Sequence, residues 1–84
     1  MKLPTLHLTG TSRSTLAEGY EVACNALRDA LAAVQDAAPN TRDYYPQGEG
    51  AYTQAQTEHG TRIARLTSVL FELQQIQEHV ATHA

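Results

Sequence analysis

The chain has no tryptophan, one phenylalanine and one cysteine. Without a second cysteine no disulfide can close within one copy. Cys24 falls inside a helical pattern beside apolar positions, where a small buried hydrophobe is expected rather than a reactive thiol. Long apolar runs are missing too, so no segment reads as a transmembrane helix. The N-terminal "MKLPTLHLTG" lacks the apolar stretch of a signal peptide. Basic residues number 6 against 9 acidic ones, a formal net charge of -3. With charges interspersed, that balance argues against non-specific binding to nucleic acid or to an anionic membrane. These absences lead to the expectation of a soluble protein of the cytoplasm with no membrane partner.

Catalytic signals are equally sparse. An enzyme needs a nucleophile beside a base, or paired carboxylates, at a concave site. Cys24 and the scattered acids provide neither, so no catalytic residue and no cofactor are expected. No Walker loop, dinucleotide fingerprint or helix-turn-helix pattern occurs. His79 and His83 stand four apart on a helical pattern, but no third ligand matches their spacing. A histidine near a helix end also suits the helix dipole, and no metal site is expected.

With 84 residues, a single domain is the prior. Its layout reads as an extended arm over residues 1–10, a helix over 12–38, a loop over 39–49 and a second helix over 50–82. "TLHLT" at residues 5–9 alternates between Pro4 and Gly10 and is the one strand-like run. Having no strand partner in its own chain, it should pair with a neighbouring subunit or pack across the helices. Thr11, Ser12, Ser14 and Thr15 are all suitable N-caps, with Thr15 and Glu18 fitting a capping box; a start near Ser12 is favoured. An apolar stripe then steps through Leu16, Tyr20, Ala23, Leu27, Ala30 and Val34, widened by Cys24, Leu31 and Ala38. Pro39 ends it. The second helix carries a regular seam: Tyr52, Ala55, His59, Arg62, Leu66, Val69, Leu73, Ile76, Val80 and His83. Three and four alternate throughout, as in a heptad, and Ile63 and Leu70 add a second row. The fold expected is all-α: an antiparallel two-helix hairpin with an extended N-terminal arm. Two helices alone have little core, so a homodimer or higher homo-oligomeric bundle is expected to cover the seam.

The seam changes character near the loop. Its C-terminal half is Leu, Val, Leu, Ile, Val; its N-terminal half holds Tyr52, Ala55, His59 and Arg62. A polar atom left unpaired on a buried seam costs about 1–3 kcal/mol. Two readings follow. In one, Glu58 pairs with Arg62 four residues on and His59 faces solvent. In the other, a wet pocket lies between helix and loop, lined by Arg42, Tyr44, Tyr45, Tyr52, His59 and Arg62. The loop "NTRDYYPQGEGAYTQ", residues 40–54, holds three of the chain's four tyrosines. Pro46, Gly48 and Gly50 suit a defined turn. The amides of Glu49, Gly50 and Ala51 at a helix start suit an anion, and tyrosine rings suit a planar base. Asp43 and Glu49 oppose one.

The lead-in Leu6-His7-Leu8 with Gly10-Thr11-Ser12, followed by "NTRDYYPQG" at residues 40–48, resembles a family of small tailed-phage and prophage proteins with the pattern HLxGTS … NxRDYYxQG. The resemblance covers most of the chain and implies no activity. Tyr44-Tyr45-Pro46-Gln47 is also similar to the turn before the long helix of phage sponge proteins, small helical oligomers that sequester cyclic oligonucleotide signals of bacterial immunity. That resemblance implies Arg42, Tyr44, Tyr45 and Gln47 as ligand contacts. The function expected is therefore a non-enzymatic phage accessory protein in the host cytoplasm, acting in counter-defence by binding a small nucleotide at the tyrosine loop. The alternative is a module that binds a host or phage protein through its helix faces.

Overall fold

The structure is a computed structural model that describes residues 1–7 and 10–82. The described chain forms α1 (Arg13–Asp36), a single helical turn α2 (Thr41–Tyr44) continued by a 3-10 turn (Tyr45–Gln47), and α3 (Ala51–Thr82). No strand occurs among the described residues. The strand-like run at residues 5–9 thus forms none over its described part; Leu8 and Thr9 lie outside the described residues, as do His83 and Ala84.

Local chemistry sets the ends of α1. The Ser12 hydroxyl accepts a hydrogen bond from the Thr15 amide at 3.3 Å, satisfying one of the orphan donors of a helix start. At the other end the Ala37 amide still reaches the Ala33 and Val34 carbonyls, each at 3.1 Å. The helix closes at Asp36, two residues before the expected end, because Ala38 precedes Pro39 and is pushed away from helical ψ. In α3, Thr61, Thr67 and Thr82 each turn a hydroxyl back onto the carbonyl four residues earlier, at 3.0, 2.8 and 2.8 Å. This gives the β-branched residues a bonded place in the helix.

The two long helices pack together. Val34, near the end of α1, shares a depression with Arg62, Arg65 and Leu66 of α3. At the other end Nε2 of His79, near the end of α3, donates to the Pro4 carbonyl ahead of α1 at 3.0 Å. The helices therefore pass each other in opposite senses. The packed row of α1 includes Leu16, Tyr20, Cys24, Leu27, Leu31 and Val34, while Ala30 and Ala38 stay exposed.

The packed row of α3 differs from the heptad seam at two places. Arg62 and Val69 are exposed, Val69 at 45%, and the row steps instead through His59, Ile63, Leu66, Leu70 and Leu73. Both rows have three–four spacing, so periodicity alone cannot choose between them. Facing a single partner helix, α3 turns Ile63 and Leu70 inward, which spares the Arg62 guanidinium a desolvation penalty.

The arm is held to its own chain. Pro4 and Leu6 are half-buried, and the His79 bond fixes the segment across the end of α3. The Gly10 amide donates to the His7 carbonyl at 3.0 Å. A Cβ at residue 10 would stand 2.8 Å from Nε2 of the exposed His7 side chain, so a substitution there would push that ring aside.

The resulting rod measures 61 × 20 × 18 Å, with a radius of gyration of 18.5 Å where a compact chain of this length has roughly 12 Å. Its accessible surface is 6206 Å², against about 4,900 Å² for a typical folded monomer of this mass. Among the described residues only Cys24 and Val80 are fully buried.

Three changes test this packing. Val80→Ala removes two buried carbons and should lower stability by about 2 kcal/mol, read from the urea midpoint. Phe71→Ala removes far more carbon, but Phe71 is 60% exposed, so the midpoint should move by less than about 0.5 kcal/mol. Removing residues 1–6 takes away the Pro4–His79 bond and half-buried Leu6, and should lower the melting temperature by several degrees. An unchanged melting curve would show that the arm adds nothing to the helix pair.

Candidate functional site

The turn that joins α1 to α3 is built from short polar contacts. Asn40 caps α2: its side-chain oxygen accepts from the Arg42 amide at 3.1 Å, and its carbonyl accepts from the Asp43 amide at 3.0 Å. Pro46 lies inside the 3-10 turn, where its fixed φ is already suitable. The Gly48 amide closes that turn on the Tyr45 carbonyl at 3.4 Å. Gly48 has φ 96° and ψ 178°, a region essentially reserved for glycine. Gly50, with φ 87°, gives its carbonyl to the Gln54 amide at 2.9 Å, the first bond of α3. Having no side chain, Gly50 cannot cap the amides of that first turn, which lack intrahelical acceptors.

This geometry leaves an open cleft of about 590 Å³, lined by Thr41, Tyr44, Tyr45, Pro46, Gly48, Glu49, Gly50 and Tyr52. Tyr44 and Tyr52 are half-buried and anchor its walls. Tyr45 is 82% exposed, so one ring face stands free. Glu49 is the one charged residue on the lining.

Of the residues singled out in the sequence, Tyr44, Tyr45 and Tyr52 come together around this cleft. Arg42 and Gln47 belong to the same turn but are exposed and not part of the lining. Arg62 lies elsewhere, with Val34, Arg65 and Leu66. It is eleven residues into α3, ~16 Å along the axis from the helix start. His59 sits two turns beyond Tyr52 on the packed side. Its ring is half-buried, and Nε2 is fully buried with no hydrogen-bond partner. His59 therefore does not face solvent, as one of the two sequence readings had it. Thr41, Pro46, Gly48, Glu49 and Gly50 were not among the expected lining residues, the last four having been read only as turn or helix-start positions. The capping pattern of Asn40 with Asp43 was the available signal, since it turns residues 41–44 into a helical step.

Among the described residues no group of three potential metal ligands occurs, and no helix is long and apolar enough to cross a membrane. Comparison with protein-family models, with curated proteins and with solved structures returned no match.

The buried His59 nitrogen generates a test. An unpaired buried polar atom costs about 1–3 kcal/mol, so His59→Leu should raise stability by on the order of 1 kcal/mol in urea denaturation. A loss of stability instead would mean that Nε2 meets a partner in the working protein.

Proposed function

We propose that this chain is a non-enzymatic phage accessory protein that assembles with copies of itself and binds a small planar ligand of the nucleotide class at its tyrosine cleft. In an infected bacterial cytoplasm such binding would hold a nucleotide immune signal away from its receptor. The observation that carries this reading is the cleft itself. Three tyrosines, one of them 82% exposed, surround an opening at the glycine-started end of a 32-residue helix. The rings suit a base, and the open amides of the helix start suit a phosphate. The resemblance of residues 40–48 to tailed-phage proteins supports the setting.

The thin core supports the second element of the proposal, the homo-oligomeric bundle. A chain that fully buries two side chains among its described residues gains stability by covering its sides. The same excess of surface favours the rival reading, in which a host or phage protein binds a helix face and the cleft only closes the turn.

A thermal-shift screen with cyclic di- and trinucleotides and ADP-ribose derivatives separates the two. A ligand at a hundred times its dissociation constant adds about 2.7 kcal/mol of stability. Tyr45→Ala should weaken that ligand roughly tenfold or more while leaving the melting temperature of the free protein nearly unchanged, because Tyr45 packs little. No shift with any nucleotide would leave the cleft as a structural turn and favour the protein-binding reading.

A further inference from the structure

The cleft at the turn carries one charged group on its lining, the Glu49 carboxylate. Glu49 is exposed and stands between two glycines at positive φ, Gly48 at 96° and Gly50 at 87°. A Cβ built at either glycine meets nothing within 4 Å, so the space on both sides of Glu49 is open. Among the described residues its carboxylate has no hydrogen bond and no ion pair. It therefore neither caps α3 nor neutralises a guanidinium, and its acceptors are left for whatever enters the cleft. The other polar side chains of the lining are the hydroxyls of Thr41, Tyr44, Tyr45 and Tyr52. A hydroxyl turns to donate or to accept as its partner requires, whereas an ionised carboxylate accepts only. Glu49 is thus the one lining side chain with a fixed hydrogen-bonding role.

We propose that Glu49 selects guanine as the base held at this cleft. The proposal rests on the nucleotide reading given above and names the base. Tyrosine rings cannot choose among bases, because every base offers a π-face. The choice falls to a group that reads the base edge. Guanine alone among the common bases presents two adjacent donors there, the N1 imino and the N2 amino group. They match the two oxygens of one carboxylate, as the two parallel donors of a guanidinium do. Adenine sets the N1 lone pair beside its amino group, and cytosine sets the N3 lone pair beside its own. Uracil has one imino donor between two carbonyls. Against each of these the second carboxylate oxygen meets a lone pair, so the same group that attracts guanine repels its competitors. Stacking on tyrosine and edge reading by Glu49 are separate contributions, the first to affinity and the second to selectivity.

Titration calorimetry of the full chain with cyclic di-GMP and cyclic di-AMP, which share one backbone and differ in base, tests this. The wild type should bind cyclic di-GMP roughly tenfold or more tightly than cyclic di-AMP, since hydrogen bonds to a charged group are the strong ones. Glu49→Gln replaces one acceptor with a donor, the pattern that complements adenine, and should abolish or reverse the preference. The two side chains are alike in size and the position is exposed, so the melting temperature of the free protein should hold. Tyr45→Ala should weaken both ligands by a similar factor and leave their ratio unchanged. No binding of any nucleotide in the thermal-shift screen would overturn the nucleotide reading and this selection together. A wild type that binds a nucleotide of the screen without preferring cyclic di-GMP, or a guanine preference that survives Glu49→Gln, would overturn the selection alone.

Discussion

Two helices touch along one line, and a line of contact cannot dry a wide apolar arc. Everything else in this molecule depends on that constraint. α1 has apolar or small residues around well over half its circumference, yet α3 covers only the row from Leu16 to Val34. Of the described side chains, Cys24 and Val80 alone lose all contact with water. Val80 lies next to His79, whose ring holds the N-terminal arm. The arm supplies a third wall at that end of the rod, where a helix pair by itself has two. Along the middle the described residues supply no such wall, and there Gly19, Val22, Ala26, Ala30 and Ala33 stay exposed.

The same constraint explains why the turn end is polar. Past Val34 the first helix stops, and α3 continues toward its own start with less to pack against. Tyr52, Ala55 and His59, all half-buried, stand there in place of the aliphatic seam. The short turn of residues 40–50 fills the space with local hydrogen bonds and with two glycines at positive φ. Tyrosine suits this position because its ring packs while its hydroxyl stays wet. Tyr44 and Tyr52 use both properties. Tyr45 packs little, and a ring held in solvent gains nothing for the fold.

The helices were legible in the sequence because their signals are local. Three–four periodicity, the Ser12 cap and Pro39 each act within a few residues. The choice between Arg62 and Ile63, or Val69 and Leu70, was not legible. Adjacent rows share the same spacing, and the selection depends on how wide an arc the partner covers, which is a tertiary quantity. The arm's position depends on a contact across seventy-five residues, beyond any windowed pattern. In the candidate site the clustering of tyrosines near the helix start was visible as composition. The separation of Arg42 and Arg62 from the cleft was not: it follows from the extra turn of helix at residues 41–44 and from the rotation of α3.

That separation changes the chemistry the cleft can offer on the proposed reading. With no guanidinium on its lining, the site cannot grip a phosphate as a charged clamp. The helix start supplies amide donors and a partial positive charge, worth about 0.3–1 kcal/mol for an anion at an exposed site. Glu49 opposes a phosphate placed beside it, yet a carboxylate accepts hydrogen bonds from the amino and imino groups of a base edge. The two features agree if the ligand is oriented, with its base between the tyrosine rings toward Glu49 and its phosphate toward the first amides of α3. Binding then derives mostly from stacking and hydrogen bonds, and depends less on salt than an arginine-lined site would.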